Sequence, residues 1–358
     1  MTERDALFEL PPFGIEQPRK RELLEPIFQD LTRFHRRNCP AYAAMLDALP
    51  PDNGVDGLAS IPFLPVGLFK QMTLRSGQDG TRMLHSSGTT GQHTAQIALD
   101  SETASLQRQA LAAIAGNLLG PARLPMLILD TPDVLKPPLR FSARGAGVLG
   151  FSVCASRRVF ALRTDMSLDV PALERFLERW GDQPFFLFGF TFLVWKHFYS
   201  ALRQAGLRMD FSCGTLIHGG GWKSMQREAV SRDRFHAALA ETCGLVRVHD
   251  YYGMAEQAGS IFPECECGHL HASLFSEVLV RRPQDFSLCK VGEEGILQVL
   301  SVLPHSYPGH SLLTEDGGIL LGEDDCPCGR KGRYFTVTGR LPQAELRGCS
   351  DVYGAQFE

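Results

Sequence analysis

Between residues 124 and 253, four short apolar runs alternate with stretches of helical spacing. The runs are "LPMLILD" (124–130), "PFFLFGF" (184–190), "GTLIHGG" (214–220) and "LVRVHDYYG" (245–253). The helical stretches include "TFLVWKHFYSALRQAG" and a segment starting near Ser224. This alternation constrains the fold more than any other feature of the chain. Short apolar runs separated by helices predict buried strands joined by crossover connections in an α/β sheet. Ligands of such sheets bind in loops at the carboxyl ends of the strands. Gly219–Trp222 and Tyr251–Glu256 occupy that position.

The pattern differs on either side. Residues 16–50 show charged and apolar residues at helical spacing, and "IPFLPVGLFK" (61–70) reads as a proline-rich extended connection. Residues 101–119 predict a helix with Ser101 as its N-cap. From about residue 276, "SEVLVRRP", "EGILQVLSVL", "GGILLG" and "GRYFTVTGRL" are short, alternating and separated by turn residues. They predict antiparallel β structure, a small barrel or meander. The resulting division is a helical segment and connection over 1–80, an α/β region over 81–275, a β-rich subdomain over 276–340 and a short tail over 341–358.

Composition excludes some function classes. A net charge of −4 and a pI near 6.3 give no footprint for nucleic acid or anionic lipid. The longest apolar run, "PFFLFGFTFLVW", is too short to span a bilayer, and the amino terminus lacks a basic-then-apolar signal pattern. The expectation is a soluble, cytoplasmic protein with no membrane span and no nucleic-acid partner.

The stretch "HSSGTTGQHTAQ" (85–96) combines hydroxyls with unencumbered backbone at Ser86, Ser87, Gly88, Thr89, Thr90 and Gly91. Successive N–H groups in such a loop form an anion nest, and the hydroxyls add donors. It is not a Walker A loop, because the required Gly-Lys pair is missing. On composition alone, a polar turn between strands fits equally well.

"SSGTTG" resembles the phosphate-binding loop of the adenylate-forming superfamily. "DYYGMAEQ" resembles its Y-G-x-T-E motif, with Ala255 where threonine is usual. "TEDGG" resembles its acidic ribose motif, and "VTGRL" its G-R hinge motif. The four fall in the superfamily's order. Together with "IPFLPVGLFK", "FGF", "HGGGWK" and "GRLPQAELRGCSD", they resemble more narrowly the LuxE-type acyl-protein synthetases, near the phenylacetate–CoA ligase branch. Only 18 residues follow Gly339-Arg340, so the resemblance implies an adenylate-forming fold without the usual C-terminal catalytic-lysine domain. The hinge acid is also replaced, by Leu341-Pro342.

What the resemblance implies is ATP-dependent, AMP-forming activation of a carboxylic acid, in this branch a fatty acid. Ser86–Gly91 would hold the β- and γ-phosphates. Glu256 would bind Mg²⁺, a hard ion suited to carboxylate and phosphate oxygens. Asp316 would accept bonds from the ribose hydroxyls, and Arg340 would contact ribose or phosphate. Gly219, Gly220, Gly221, Tyr251, Tyr252, Gly253 and Met254 would flank the nucleotide. Phe188, Phe190, His218 and Trp222 would line the acyl pocket. Taken singly, Glu256 reads as a solvated loop acid, Asp316 as a turn former, Arg340 as a surface cation, and His218 equally as a satisfied buried histidine.

Of ten cysteines, four lie in two C-x-C pairs, "CECGHLH" and "CPCGR". Two such pairs with neighbouring histidines suit tetrahedral Zn²⁺. Four of Cys265, Cys267, His271, Cys326 and Cys328 would form a structural site, and likeness to the phenylacetate–CoA ligase branch favours leaving Cys267 out. Cys154, Cys213 and Cys243 read as core, while Cys39 and Cys289 match no motif. Cys349, beside Gly348 and close to Arg347, resembles the acyl-accepting cysteine of the luminescence synthetases. The expected product is then an acyl-protein, delivered to a reductase or carrier partner. A CoA ligase and a non-catalytic scaffold that keeps the fold are the alternatives.

Overall fold

The computed structural model describes residues 3–48, 57–77, 82–85, 95–137 and 142–341. They group into two compact units, each drawn from separated stretches of chain. One comprises the described residues of 1–86, 91–114 and 253–346, and the other those of 115–252.

The unit of residues 115–252 is built on parallel strands in the order Ala155–Phe160, Leu124–Ile128, Phe185–Phe190, Gly214–Gly219, Arg247–Tyr252. The first strand in the chain lies inside the sheet, the second pairs on one side of it, and the rest follow on the other. This is a doubly wound order, with a switch point beside Leu124–Ile128. Every residue of Phe185–Phe190 and of Gly214–Gly219 is buried, which explains their continuous apolar composition. Full burial of each of Phe185, Phe186 and Phe188 contributes roughly 1.5–3 kcal/mol from solvent transfer.

Three features of this unit depart from sequence expectation. Near Ser224 the chain forms a separate 3₁₀ segment, Lys223–Glu228, rather than the start of the helix. The α-helix proper is Arg232–Cys243, where the Ser231 hydroxyl accepts the Arg234 N–H. The strand Ala155–Phe160 has no apolar run. Ser156, Arg157 and Arg158 are exposed on it, because it forms an edge of the sheet. The helical stretch after Phe190 is present but carries a π-helical segment, Val194–Tyr199.

The other unit contains the antiparallel meander. Its strands run in the order Leu270–His271, Arg333–Arg340, Ser311–Glu323, Glu294–Ser301, Ser276–Arg281. The stretch 61–70 is more than a connection. Leu64–Pro65 pairs in parallel with Leu312–Leu313, and a short helix, Leu68–Gln71, follows. The helix Gln17–Asn38 buries Leu24, Ile27, Phe28 and Leu31, one stripe at i, i+3, i+4, i+7. Lys20 anchors it, donating to the Ala272 carbonyl at 3.0 Å and lying 3.6 Å from the buried Glu277 carboxylate.

Arg82–His85 and Gln96–Leu99 pair antiparallel and flank the Ser/Gly/Thr stretch. The helix Ser101–Leu119 follows, but Ser101 is not its cap. Asp100 takes that role, accepting the Thr103 N–H at 2.7 Å. Among the described residues no helix is long and apolar enough to cross a membrane.

Candidate active site and metal centre

In the meander-containing unit, Glu256 sits on a single 3₁₀ turn, Ala255–Gln257. The turn is pinned from three directions. Gln257 Nε2 donates to the carbonyls of Val299 (3.1 Å) and Gly309 (2.8 Å), and the Tyr307 hydroxyl donates to the Glu256 carbonyl at 2.9 Å. Just beyond it, Gly259 has φ +86°, and a Cβ there would meet the Gln107 carbonyl oxygen at 2.5 Å. Only glycine fits. The Glu256 carboxyl is buried, and that burial pushes its pKa up, against the opposing pull of Lys70 and Arg340.

Asp316 and Arg340 face each other across neighbouring strands, with Arg340 Nε 3.7 Å from Asp316 Oδ1. Arg340 Nη1 is 3.8 Å from Glu315 Oε2, and Lys70 Nζ is 3.7 Å from the same oxygen. The unit therefore brings Glu256, Asp316 and Arg340 into one electrostatic group. It adds Lys70 and Glu315, which the motifs did not single out.

In the parallel-sheet unit, Gly214–Gly219 delivers His218 and the glycines after it to the carboxyl end of the sheet. His218 Nδ1 lies 3.0 Å from Thr191 Oγ1, which lies 3.1 Å from the Gly219 carbonyl. The carbonyl can only accept, so the threonine hydroxyl donates to it and itself accepts from the histidine. The proton is thereby fixed on Nδ1, leaving Nε2 as a buried lone pair without a partner among the described residues. Burial, helped by His236 and His249, pulls the His218 pKa down to about 3, so the ring is neutral.

Gly220 has φ +80°, and a Cβ there would meet the Phe190 ring at 2.5 Å. The tight turn after the strand therefore requires glycine. Gly219 pairs in register with Tyr251. Phe188 is fully buried, its ring stacked 4.5 Å from Phe151 and 6.5 Å from Tyr251. Phe190 is nearly as buried, whereas Trp222 is partly exposed and packs with Trp195 and Phe235.

The second constellation is the cysteine–histidine cluster. Pairing of Leu270–His271 with Phe335–Tyr334 places His271 on the meander's edge. Cys326 and Cys328 come from the turn between the strands Ser311–Glu323 and Arg333–Arg340. The ligand atoms of Cys265, His271, Cys326 and Cys328 all lie within 4.8 Å of one another. Cys267 is exposed and outside the group.

Cys265 Sγ and Cys326 Sγ are 3.9 Å apart, and Cys328 Sγ is 3.4 Å from His271 Nε2. Tetrahedral zinc, at its usual bond lengths, sets S···S near about 3.8 Å and S···N near about 3.6 Å. The residues fit the ion. Burial raises the Cys265 and Cys326 thiols and pulls His271 down to about 4. A bound cation would reverse the thiol shifts by stabilising the thiolates. Of the remaining cysteines, Cys39 and Cys243 are buried, while Cys154 and Cys213 are only partly so.

The sequence profile of the family described as "Acyl-protein synthetase, LuxE" matches residues 2–358. The chain belongs to this family. Two curated relatives are long-chain-fatty-acid–luciferin-component ligases. That of Vibrio harveyi is 27% identical over 139 residues, covering 38% of this chain and 35% of the relative. That of Aliivibrio fischeri is 26% identical over 147 residues, covering 40% and 38%. The matched stretch thus spans little more than a third of either relative.

Among solved structures, an open conformation of 2-hydroxyisobutyryl-CoA ligase superposes with a TM-score of 0.67 at 14% identity. It covers 94% of this chain and 79% of that one. The same ligase in a postadenylation state gives 0.65 at 13% identity, over 92% and 69%. The fold is that of the adenylate-forming ligases.

For this LuxE-family chain, the phosphate-loop residues Ser86, Ser87, Gly88, Thr89, Thr90 and Gly91, and the acyl-accepting candidate Cys349, lie outside the described residues. The cysteine–histidine group lends itself to direct measurement as a candidate metal site. Purified protein is expected to contain about one zinc per chain by atomic absorption. Cys326→Ala should abolish that content and lower the melting temperature. Zinc near zero in wild type contradicts the assignment.

Proposed function

We propose that this chain activates a carboxylic acid, of the fatty class as the names of its relatives suggest, with ATP to give acyl-AMP. It then transfers the acyl group to a protein thiol, its own Cys349, for delivery to a reductase or carrier protein. The observation that carries the reading is the grouping of buried Glu256 with Asp316 and Arg340 in one unit, within a chain matched along its length by the acyl-protein synthetase profile.

A carboxylate is a poor electrophile, and adenylation supplies it with a leaving group. A carboxylate oxygen attacks the α-phosphorus, a C–O–P linkage forms, the bridging α–β P–O bond breaks, and pyrophosphate leaves. The residues' task is positioning and charge stabilisation. In this reading Ser86–Gly91 hold the β- and γ-phosphates, Asp316 accepts from the ribose hydroxyls, and Arg340 contacts ribose or phosphate. Gly219–Gly221 and Tyr251–Met254 flank the nucleotide. Neutral His218, Phe190 and Trp222 line the acyl site.

Glu256 would hold Mg²⁺, which when bound supplies positive charge to the phosphate oxygens. A buried carboxylate whose burial raises its pKa suits that role, since the protein alone under-compensates its charge. In the second half-reaction the Cys349 thiolate attacks the acyl carbonyl carbon, a thioester forms, the acyl–phosphate C–O bond breaks and AMP leaves. Cys265, His271, Cys326 and Cys328 would hold structural Zn²⁺, because four protein ligands leave no open position for water.

The test is carboxylate-dependent exchange of labelled pyrophosphate into ATP, which requires real adenylation. Wild type is expected to exchange with a cognate acid. Thr89→Ala/Thr90→Ala removes two phosphate-facing donors, each worth roughly 1–3 kcal/mol if charge-assisted. Exchange by the double variant should fall at least about tenfold. Absence of exchange by wild type across a panel of acids contradicts the adenylation reading, and wild-type exchange by the double variant contradicts the loop's role.

A further inference from the structure

Lys70 is the basic residue of the short helix Leu68–Gln71, at the end of the stretch "IPFLPVGLFK", whose patterning reads as a connection and to which the resemblance assigns no ligand. The sheet fixes its place. Leu64 and Pro65 pair with Leu312 and Leu313, and the Val66 N–H donates to the Leu313 carbonyl at 2.9 Å. Because this pairing is parallel, residues just beyond Pro65 run beside those just beyond Leu313. A Cβ on Gly67 would lie 3.4 Å from Glu315 Oε1, and Lys70 Nζ lies 3.7 Å from Glu315 Oε2.

Arg340 approaches the same oxygen at 3.8 Å. One carboxylate thus stands between two cations, and neither comes within hydrogen-bonding distance of it. The Lys70 and Glu315 side chains are about a quarter exposed, at 27% and 28%, so the pair is loosely held and open to a stronger anion. Glu256 lies within electrostatic reach of both Lys70 and Arg340. Of the three acids in this group, Asp316 is assigned to ribose and Glu256 to the metal. Glu315 has no ligand of its own and serves as a resting partner for the two cations.

We infer that Lys70 binds the polyphosphate of ATP beyond the α-phosphate, exchanging the loose contact with Glu315 for a phosphate oxygen when nucleotide is bound. The inference rests on the adenylation reading above. Lysine suits the role, because its compact ammonium on a flexible stem acts as a point charge for phosphate. Bound there, it would neutralise charge building on the departing pyrophosphate. It comes from a segment that carries none of the four superfamily motifs.

The experiment is calorimetric titration of the full-length chain with MgATP and, separately, with AMP. It compares wild type, Lys70→Met, Lys70→Arg and Glu315→Gln, with thermal melts in parallel. Lys70→Met keeps the apolar stem. It is expected to weaken ATP binding by about tenfold or more, the size of one charge-assisted contact, and to leave AMP binding within about twofold. Lys70→Arg should recover most of the loss. Glu315→Gln frees the lysine and should leave ATP affinity unchanged or tighter.

If Lys70 served only the ion pair with Glu315, breaking the pair from either side would have the same effect. Lys70→Met and Glu315→Gln that weaken ATP and AMP alike, or a Lys70→Met variant that binds ATP as wild type does, overturns the inference. Should Lys70→Met fail to fold, a weakening of ATP binding by Glu315→Gln still overturns it. Wild type that binds neither nucleotide removes the adenylation reading itself, and is thereby distinct from failure of the lysine's role.

Discussion

Glu256→Gln is expected to abolish adenylation while leaving the metal-free protein as stable as wild type, or more stable. Glutamine keeps the shape of the side chain and removes the charge that would hold Mg²⁺. Loss of a preorganised electrostatic contact to a reacting phosphoryl group costs about a hundredfold or more in rate. Stability should move the other way. Burial raises the pKa of this carboxyl in the folded protein, so the protonated form is the one that favours folding. That contribution is complete below the unfolded-state pKa and is lost as pH rises through the folded-state value. Where the metal-free wild-type carboxyl is ionised it is an under-compensated buried charge, and the substitution removes it.

The same argument gives a pH signature. Raising the pH from the acidic side should lower the melting temperature of metal-free wild type relative to Glu256→Gln, and added Mg²⁺ should narrow the gap for wild type alone. Pyrophosphate exchange and thermal melts on the two proteins check both parts. Normal exchange by the variant at low Mg²⁺ contradicts the metal assignment.

The structure also separates what patterning can see from what it cannot. Phe185–Phe190 and Gly214–Gly219 were legible because strands buried on both faces must be apolar throughout. Ala155–Phe160 was not, because an edge strand carrying Arg157 and Arg158 in solvent has no such constraint. The cap of the 101–119 helix was misplaced by one residue. Serine and aspartate are both good caps, and only the Asp100 to Thr103 bond decides between them.

Among candidate ligands, C-x-C spacing left Cys265, Cys267, His271, Cys326 and Cys328 all open, and only the family resemblance favoured leaving Cys267 out. Its exposure becomes visible only once the turn is built. Lys70 and Glu315 escaped notice because what joins them is a parallel pairing between Leu64–Pro65 and Leu312–Leu313, nearly 250 residues apart in the chain. No local periodicity encodes a partner at that distance. The available signal was that both lie in stretches quoted for the resemblance, Lys70 at the end of "IPFLPVGLFK" and Glu315 beside Asp316 in "TEDGG", without a role being attached to either.

The proposed role of Cys349 carries the largest functional consequence, because it would separate acyl-protein synthesis from acyl-CoA synthesis. A CoA ligase needs no protein nucleophile, since the thiol is on the cofactor. An acyl-protein synthetase needs a thiol outside the candidate metal site and outside the core. Cys265, Cys326 and Cys328 belong to the Cys/His group and Cys39 and Cys243 are buried, whereas Cys154, Cys213 and Cys289 are partly buried and Cys267 is exposed, so burial alone does not choose the thiol. Burial raises the thiol of Cys243, and also that of partly buried Cys154, away from the reactive thiolate. Cys349 stands in sequence next to Gly348 and two residues from Arg347, and it lies outside the described residues.

The deciding measurement is intact-protein mass spectrometry after incubation with MgATP and a panel of straight-chain fatty acids, on wild type and Cys349→Ser. The account predicts a hydroxylamine-labile acyl adduct on wild type and none on Cys349→Ser, with acyl-AMP still formed by the variant. An adduct that persists on Cys349→Ser, or turnover to acyl-CoA in the presence of CoA with no adduct on wild type, would contradict it.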